Sequence, residues 1–241
     1  MELTQYEPAQ DSLAVWIGKR LRRPLNRWLA GQSLIGRQPF FDESQVPGIG
    51  VLRENWRAIL EEARAVMVDR RDIPSFGEVS PDHRRIAQNS AWKSFFFKGY
   101  GYNVELNRAR CPRTAALIDQ VPDVIVAFFS IFEAGTHIRD HYGVTKAMLN
   151  VHLGLMVPPP EDRCEIRVRD TYRRWQPGEF LIFDETFNHE AWNDSTEPRV
   201  VLFLQVMRPM RWPGRFLGRL FLWGIKQTTY VQDVRRAIGA I

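Results

Sequence analysis

Histidines cluster in one part of this sequence, and imidazole is the commonest side-chain ligand for metals in proteins. Four of the five histidines lie between positions 137 and 189. A first-row metal that must bind oxygen needs two or three imidazole or carboxylate ligands on one side and open positions on the other. His141, just before Gly143, and His189, which we place near the end of a later strand, could supply two ligands. The alternative for each histidine alone is a hydrogen-bonded core residue.

A second histidine pair has the spacing of a helical zinc motif, since His137 and His141 stand four residues apart. Gly135 and Thr136 precede the pair in a β-rich region, and no Glu follows His137. We therefore expect no helix here and no helical zinc site.

Arg199 opens a run, Arg-Val-Val-Leu-Phe-Leu-Gln-Val, that is apolar at both alternating sets of positions. Such a strand is predicted to be buried on both faces. A buried guanidinium needs an anion, and its planar fork matches a carboxylate with two hydrogen bonds. The alternative is an arginine that reaches water from the strand end, just after Pro198.

The strand around His152 has one apolar face and one polar face. Asn150, His152, Gly154 and Met156 alternate with aliphatic residues, and the polar face carries no charge. This pattern favours the lining of a pocket over a solvated surface.

The elements that must position these residues are mainly short strands with helices at their flanks. We predict a helix over 12–30 broken at Pro24, a helix over 51–70 and a helix over 114–120. The predicted strands are Val124–Phe132, Ala147–Val157, Cys164–Val168, Phe180–Phe183 and Arg199–Met207, separated by Gly and Pro turns. Many short strands of this kind indicate a sandwich or barrel.

The chain of 241 residues, 44% of them hydrophobic, is long enough to bury one substantial core. We expect an N-terminal segment over 1–45, a core domain over 46–210 and a C-terminal segment over 211–241. Cys111 and Cys164 are too few for a disulfide framework, which favours a reducing, cytoplasmic compartment. The longest nearly apolar run, Val124–Phe132, is too short to span a bilayer, and no signal peptide is expected.

The net charge of +5 is unevenly distributed along the chain. Residues 1–40 carry six Lys or Arg against three acidic residues, and residues 208–241 carry seven against one, which leaves the middle near −4. Beyond Pro209, basic and apolar residues alternate at helical spacing, as Arg211, Arg215 and Arg219 beside Phe216, Leu220 and Trp223. This pattern predicts either a helix at an anionic membrane surface or one docked on the protein's own core.

Taken in order, several motifs between about residues 124 and 209 resemble the aspartyl/asparaginyl β-hydroxylase-like 2-oxoglutarate oxygenases. They are Gly-Thr-His-Ile-Arg-Asp-His (135–141), His-Leu-Gly-Leu (152–155), Trp175 with Pro177-Gly178-Glu179, Phe-Asp-Glu-Thr (183–186), His-Glu-Ala-Trp (189–192) and Arg199.

The resemblance implies a double-stranded β-helix, the jelly roll of cupin-like proteins, in which His141 and His189 bind Fe(II). Gly143 stands where other oxygenases place a carboxylate ligand, so water would complete the metal's shell. The resemblance further implies that Arg199 pairs with 2-oxoglutarate, with His152 and Ser130 as further contacts. The implied reaction uses O2, converts 2-oxoglutarate to succinate and CO2, and hydroxylates the substrate.

Departures from the family pattern bear on the substrate. Peptide-acting members tend to place arginines where this chain has Met148 and Asn150. Asp162-Arg163-Cys164, Phe-Asp-Glu-Thr and Arg208-Pro209-Met210 look more like the bacterial branch that hydroxylates acyl chains of lipid A or ornithine lipids. A lipid acyl chain is therefore the first expectation, and a peptidyl Asp or Asn is the second.

A third expectation is a metal-binding jelly roll without oxygenase activity. The basic ends favour peripheral contact with the inner face of an anionic membrane. No nucleic-acid partner is expected, because no binding motif accompanies these ends. Lys146, Arg139 and Arg174 are candidate substrate-facing cations, although each is more readily explained as a solvated surface charge.

Overall fold

The computed structural model describes residues 13–79 and 91–228, together with 231–232, 235 and 239. Residues 1–12 of the expected N-terminal segment and most of 229–241 in the expected C-terminal segment lie outside this description. The three expected segment boundaries stay predictions.

Helices lie mainly at the two ends of the described chain and before the strand-rich half. Their bounds are α1 Leu13–Gln32, α2 Gly50–Glu54, α3 Trp56–Val68, α4 Phe76–Val79, α5 Glu105–Arg110, α6 Pro112–Gln120 and α7 Trp212–Lys226. The predicted break at Pro24 is wrong, because α1 continues through it. Pro24 removes one backbone hydrogen-bond donor from the helix. The helix tolerates this loss because it is long and the part after Pro24 is held in place by the fully buried Leu29. The helix predicted over 51–70 is divided at Asn55.

Eleven strands lie within the described ranges. They are β1 Phe40–Phe41, β2 Trp92–Gly99, β3 Tyr102–Asn103, β4 Val124–Phe132, β5 Thr136–His141, β6 Met148–Met156, β7 Cys164–Val168, β8 Thr171–Arg174, β9 Phe180–Phe183, β10 His189–Asn193 and β11 Arg199–Met207. The predictions for β4, β7, β9 and β11 are confirmed to the residue, and β6 is one residue shorter at each end than predicted.

The strands form two sheets that face each other. The larger has the order β1-β9-β6-β11-β4-β2-β3, and the smaller has the order β5-β10-β7-β8. From β4 onward the chain passes repeatedly between the sheets, which places β4, β6, β9 and β11 in the larger sheet and β5, β7, β8 and β10 in the smaller one. This is a double-stranded β-helix with flanking helices, which confirms the fold that the family resemblance implied.

The larger sheet is buried on both faces, for two different reasons. Its outer face packs against α2, α3 and α6 in a core that includes Ile59, Phe129, Leu153 and Leu202. Its inner face meets the smaller sheet, where Phe128 and Val201 lie against Ile166. The helices therefore hold the larger sheet from behind, and the space between the sheets is left for a site.

The C-terminal helix α7 docks on the protein through its glycines. A Cβ on Gly214 would lie 2.9 Å from Cγ of Gln32 in α1, and a Cβ on Gly218 would lie 3.1 Å from Cβ of Ala147. Such close approach requires the absence of a side chain. The sequence left two alternatives for this helix, and the structure shows the one in which it docks on the protein's own core. Among the helices of the described ranges, none is both long and apolar enough to cross a membrane.

Candidate active site

His141 and His189 lie side by side on the smaller sheet. They are direct partners in the register between β5 and β10, and their ring centroids are 4.0 Å apart. His141 is the last residue of β5, and His189 is the first residue of β10. We expected His189 near the end of a strand, and the structure places it at the start of one. The sequence-predicted pair is thus brought together at one edge of the space between the sheets.

The two rings present the same nitrogen. Nδ1 of His141 lies 2.8 Å from the carbonyl oxygen of Arg139, and Nδ1 of His189 lies 2.9 Å from that of Phe187. A carbonyl oxygen only accepts, so Nδ1 carries the hydrogen and Nε2 of each neutral ring has the lone pair. Burial, followed by the charge on His141, lowers the pKa of His189 to about 3, which keeps this imidazole neutral.

Gly143 lies next to this pair, and its position has no room for a side chain. A Cβ there would come within 2.6 Å of Cβ of Glu185, and the Gly143 N–H donates to the Glu185 carbonyl oxygen at 2.6 Å. The Glu185 carboxyl accepts hydrogen bonds from the Val144 N–H at 3.2 Å and the Gln205 amide at 2.8 Å. No third His, Cys, Asp or Glu of the described ranges groups with the two histidines.

Arg199 is fully buried on the inner face of the larger sheet. Its guanidinium carbon lies 3.5 Å from the ring centroid of Phe132 and 4.4 Å from that of Trp175. Nη1 donates a hydrogen bond to the Ser130 carbonyl oxygen at 3.3 Å, and Nε has no partner among the described residues. Burial lowers the pKa of Arg199 to about 9, so the site disfavours this charge until an anion arrives.

His152 lies beside Arg199 with a fixed tautomer. The indole N–H of Trp175 donates to Nδ1 of His152 at 3.1 Å. Because an indole only donates, Nδ1 must be the acceptor, and the hydrogen of the neutral ring lies on Nε2. Nε2 is buried and has no partner within the described chain. Desolvation, followed by the charge of Arg199, holds the pKa of His152 well below its usual value, so the ring is a neutral donor.

Ser130 completes the predicted set and reveals a residue that the sequence reasoning missed. Its Oγ accepts the indole N–H of Trp92 at 3.1 Å, which leaves its own hydroxyl hydrogen to donate. Ser94 is the direct partner of Ser130 in the register between β2 and β4, so both side chains lie on the same face. Ser94 Oγ is buried and has no partner among the described residues.

Those orphaned groups test whether the site fits a dicarboxylate. Buried polar atoms are normally hydrogen-bonded, and leaving one unpaired costs about 1–3 kcal/mol. The described residues contain three such side-chain atoms, Ser94 Oγ, His152 Nε2 and Arg199 Nε, and all belong to the inner face of the larger sheet. A carboxylate of 2-oxoglutarate requires a cation and neutral donors, and this face of the sheet holds one buried cation and further neutral donors, so the residues present fit this group.

The Phe-Asp-Glu-Thr motif has a structural role through Asp184. This fully buried carboxylate accepts hydrogen bonds from Lys146 Nζ at 2.6 Å and from Arg208, which is itself buried. Arg208 also donates to the Lys146 carbonyl oxygen at 2.9 Å. The explanation of Lys146 as a solvated surface charge is therefore wrong, because its ammonium is paired and lies 4.0 Å from the ring centroid of Phe187.

The fold and the site together define a double-stranded β-helix protein of the hydroxylase class. The sequence matches the model of the Aspartyl/Asparaginyl beta-hydroxylase family over residues 53–209. The chain belongs to that family.

Individual relatives show how broadly the match extends. The chain is 38% identical over 184 residues to an ornithine lipid ester-linked acyl 2-hydroxylase of Rhizobium tropici, covering 76% of this chain and 66% of the relative. It is 30% identical over 163 residues to the aspartyl/asparaginyl beta-hydroxylase of Homo sapiens, covering 66% of this chain and 21% of the relative. The chain thus spans just under two thirds of the first protein and about a fifth of the second.

The crystal structure of a Pseudomonas putida prolyl-4-hydroxylase aligns with a TM-score of 0.43 at 14% identity, covering 77% of this chain and 97% of that one.

Proposed function

We propose that this protein is an Fe(II)- and 2-oxoglutarate-dependent dioxygenase that hydroxylates the acyl chain of a membrane lipid of the ornithine lipid or lipid A type. The observation that carries the oxygenase chemistry is the presence, in one site, of two histidines whose rings lie 4.0 Å apart and a buried arginine that lacks an anionic partner among the described residues. The similarity to the Rhizobium tropici lipid hydroxylase supports the choice of substrate.

His141 and His189 would hold Fe(II) through their Nε2 atoms. Bound iron, with 2-oxoglutarate and O2, supplies the oxidising power that inserts an oxygen atom into an unactivated C–H bond. The backbone carbonyls of Arg139 and Phe187 fix both rings in the ligating tautomer, so no proton has to leave Nε2 when the metal binds.

Arg199, His152 and Ser130 would orient 2-oxoglutarate. The Arg199 guanidinium pairs with a carboxylate of the cosubstrate, and the Nε2–H of His152 and the Ser130 hydroxyl donate to its oxygen atoms. The rings of Phe132 and Trp175 enclose the guanidinium and exclude water, which strengthens the charge pair.

The inner face of the larger sheet, which would face the substrate, favours a substrate without a charged group at that position. The register places one alternating set of residues from β2, β4, β6, β9 and β11 on the inner face, and Arg199 is its one charged member among the described residues. With Arg199 assigned to 2-oxoglutarate, no cation of this face remains for an acidic side chain. Members of this set near His152 are Phe128, Asn150, Leu181, Phe183, Phe203 and Gln205.

A peptidyl Asp or Asn β-hydroxylase is the second candidate, favoured by the similarity to the human enzyme. It would use the same cofactor residues and a different substrate wall. A metal-binding jelly roll without oxygenase activity is the third candidate, and the unsatisfied Arg199 and His152 count against it, because such a protein would have no use for a buried anion site.

The test compares two substrates in separate reactions. Purified protein with Fe(II), 2-oxoglutarate and O2 is given an ornithine lipid and, separately, an Asp-containing peptide, and the products are analysed by mass spectrometry with labelled O2. We expect one labelled oxygen in the lipid's acyl chain, none in the peptide, and none with His189→Ala. Labelling of the peptide alone would replace the first candidate with the second, and release of succinate without labelling of either would reject both substrates.

A lipid substrate requires that the enzyme meets a membrane surface. The proposed location is the cytoplasmic face of the inner membrane, with peripheral contact through the basic ends of the chain. Two buried thiols, Cys111 and Cys164, agree with a reducing compartment.

A further inference from the structure

The outer face of α7 carries a row of exposed apolar side chains. Trp212, Phe216, Leu220 and Trp223 are 78%, 58%, 51% and 61% exposed. Their spacing places them on one stripe of the helix. Monomeric soluble proteins seldom expose so many large apolar side chains in one row, and a contiguous patch of this kind marks an interaction site.

The packing of α7 fixes this row on the outside. Gly214, Gly218 and Leu222 are the buried residues of the helix, and they occupy the opposite side. Substitution of either glycine would push the helix away from Gln32 or Ala147. The helix is therefore already docked through its opposite side, and the row stays exposed in the docked position.

Cations flank the row along one side of the helix. Arg215 and Arg219 bind the same carboxylate, that of Asp123, at 2.8 and 2.7 Å, so the three charges sum to one positive charge. Arg211 and Lys226 extend the same side, and α7 itself contains no acidic residue. An apolar stripe with tryptophans near both ends and cations beside it fits the interface of an anionic bilayer, where indole rings and guanidinium groups are both stable.

The helix that pairs with α7 also contacts the loop after His141. Asn26 of α1 donates to the Val144 carbonyl oxygen at 3.1 Å and accepts the Lys146 N–H at 2.9 Å. Arg22 of α1 donates to the carbonyl oxygens of Gly143 and Val144. The helix pair thus connects the exposed row with the edge of the candidate active site.

We infer that the row Trp212–Phe216–Leu220–Trp223 of α7 is a docking surface for an anionic phospholipid bilayer. The apolar side chains enter the interfacial region, and the arginines and Lys226 lie among the headgroup phosphates. The inference rests on the proposed lipid substrate for its purpose, because it names the surface that would bring the enzyme to that lipid, and its evidence is the geometry of α7 and the residues packed against it.

The test is flotation of the full-length protein with phospholipid vesicles, without iron or 2-oxoglutarate. Vesicles of phosphatidylcholine with phosphatidylglycerol are compared with phosphatidylcholine alone. The variant Phe216→Ser/Trp223→Ser changes the row, and Val68→Ser/Leu106→Ser removes two apolar side chains that are 81% and 76% exposed on other helices. We expect wild type and the Val68/Leu106 variant to float with anionic vesicles and the row variant to lose about tenfold or more in partitioning.

Several results would overturn the inference. They are flotation of the row variant at the wild-type level, no flotation of wild type, or equal binding to both kinds of vesicle. A wild-type dimer in solution that the row variant converts to a monomer, with no flotation, would show instead that the row joins two copies of the chain. Because no turnover is measured, failure of lipid hydroxylation leaves the flotation result intact, and the reverse also holds.

Discussion

The indole N–H of Trp175 donates to Nδ1 of His152 at 3.1 Å, deep between the two sheets. Trp175 follows β8 and reaches a strand of the opposite sheet, so this bond depends on the folded jelly roll. It decides which nitrogen of His152 can donate to a cosubstrate. The proposed binding of 2-oxoglutarate therefore depends on a residue that need not touch it.

Replacing Trp175 with Phe removes this hydrogen bond while it keeps an aromatic ring beside Arg199. His152 can then adopt either tautomer, so we expect the affinity for 2-oxoglutarate to fall by roughly three- to tenfold, the equivalent of one neutral hydrogen bond. Calorimetric titration of 2-oxoglutarate into Mn(II)-loaded protein measures the change. Trp212→Phe, on the exposed face of α7, is the control and should leave the affinity unchanged; equal affinities for all three proteins would show that the bond does not matter for binding.

Ser94→Ala tests whether the orphaned hydroxyl opposite Ser130 belongs to the cosubstrate site. Since Ser94 Oγ lacks a partner among the described residues, its loss should leave the free energy of unfolding of the ligand-free protein unchanged or slightly higher. The rise in Tm caused by 2-oxoglutarate should be smaller than in wild type.

The control for Ser94 is another buried serine whose hydroxyl is satisfied. Ser195 Oγ donates to Asn193 Oδ1 at 2.7 Å, so Ser195→Ala should lower stability by about 1 kcal/mol without changing the ligand-induced shift. If Ser94→Ala behaves like Ser195→Ala, Ser94 is a packing residue.

Gly143→Ala should destabilise the fold, because the added Cβ would collide with Cβ of Glu185 rather than with a flexible chain end. We expect a loss of about 1–3 kcal/mol in urea unfolding. Gly224→Ala on α7 is the matched substitution, since its Cβ would meet nothing within 4 Å and should stabilise the helix slightly. The same collision applies to Gly143→Asp, which should therefore bind iron no more tightly than wild type; tighter binding would contradict this account of the missing ligand.

Glu185 gives the apoprotein a specific pH dependence. Burial raises the pKa of Glu185 to about 7, so the folded protein keeps a proton that the unfolded chain releases near its ordinary pKa of 4.5. Raising the pH from about 4.5 to about 7 then costs the folded state up to roughly 3 kcal/mol, with no further loss above that range. Glu185→Gln removes this loss, so its stability relative to wild type should rise between about pH 5 and about pH 8.

Urea unfolding of metal-free protein at the two pH values tests the effect of Glu185. A difference between Glu185→Gln and wild type that stays constant between the two pH values would show that this carboxyl is not held protonated in the folded state.

The sequence predicted the long strands because their apolar runs leave little ambiguity. β4 and β11 are buried over nearly their whole length, and a continuous apolar run bounded by Gly or Pro is enough to locate them. β5 and β8 of the smaller sheet were harder to predict. β5 reads Thr-His-Ile-Arg-Asp-His and β8 reads Thr-Tyr-Arg-Arg, so neither contains a continuous apolar run, and β8 contains no buried residue.

The sequence predicted only those site residues that belong to recognisable motifs. His141, His189, Arg199, His152 and Ser130 are recognisable from their motifs, and the structure places all of them between the sheets or at their edge. Ser94 carries no local signal, since its role arises from its pairing with Ser130 across two strands 36 residues apart in sequence. The collision of Glu185 with a side chain at 143 likewise depends on two loops that meet only in three dimensions.

The most direct test of the central claim is anaerobic titration of Fe(II) and 2-oxoglutarate into the purified protein, followed by visible absorption. The account predicts a weak charge-transfer band for wild type, its loss in His189→Ala because the metal site is incomplete, and its weakening in Arg199→Met because the cosubstrate lacks its anchor. Iron binding by wild type without any such band would contradict the account and leave a metal-binding jelly roll of another kind.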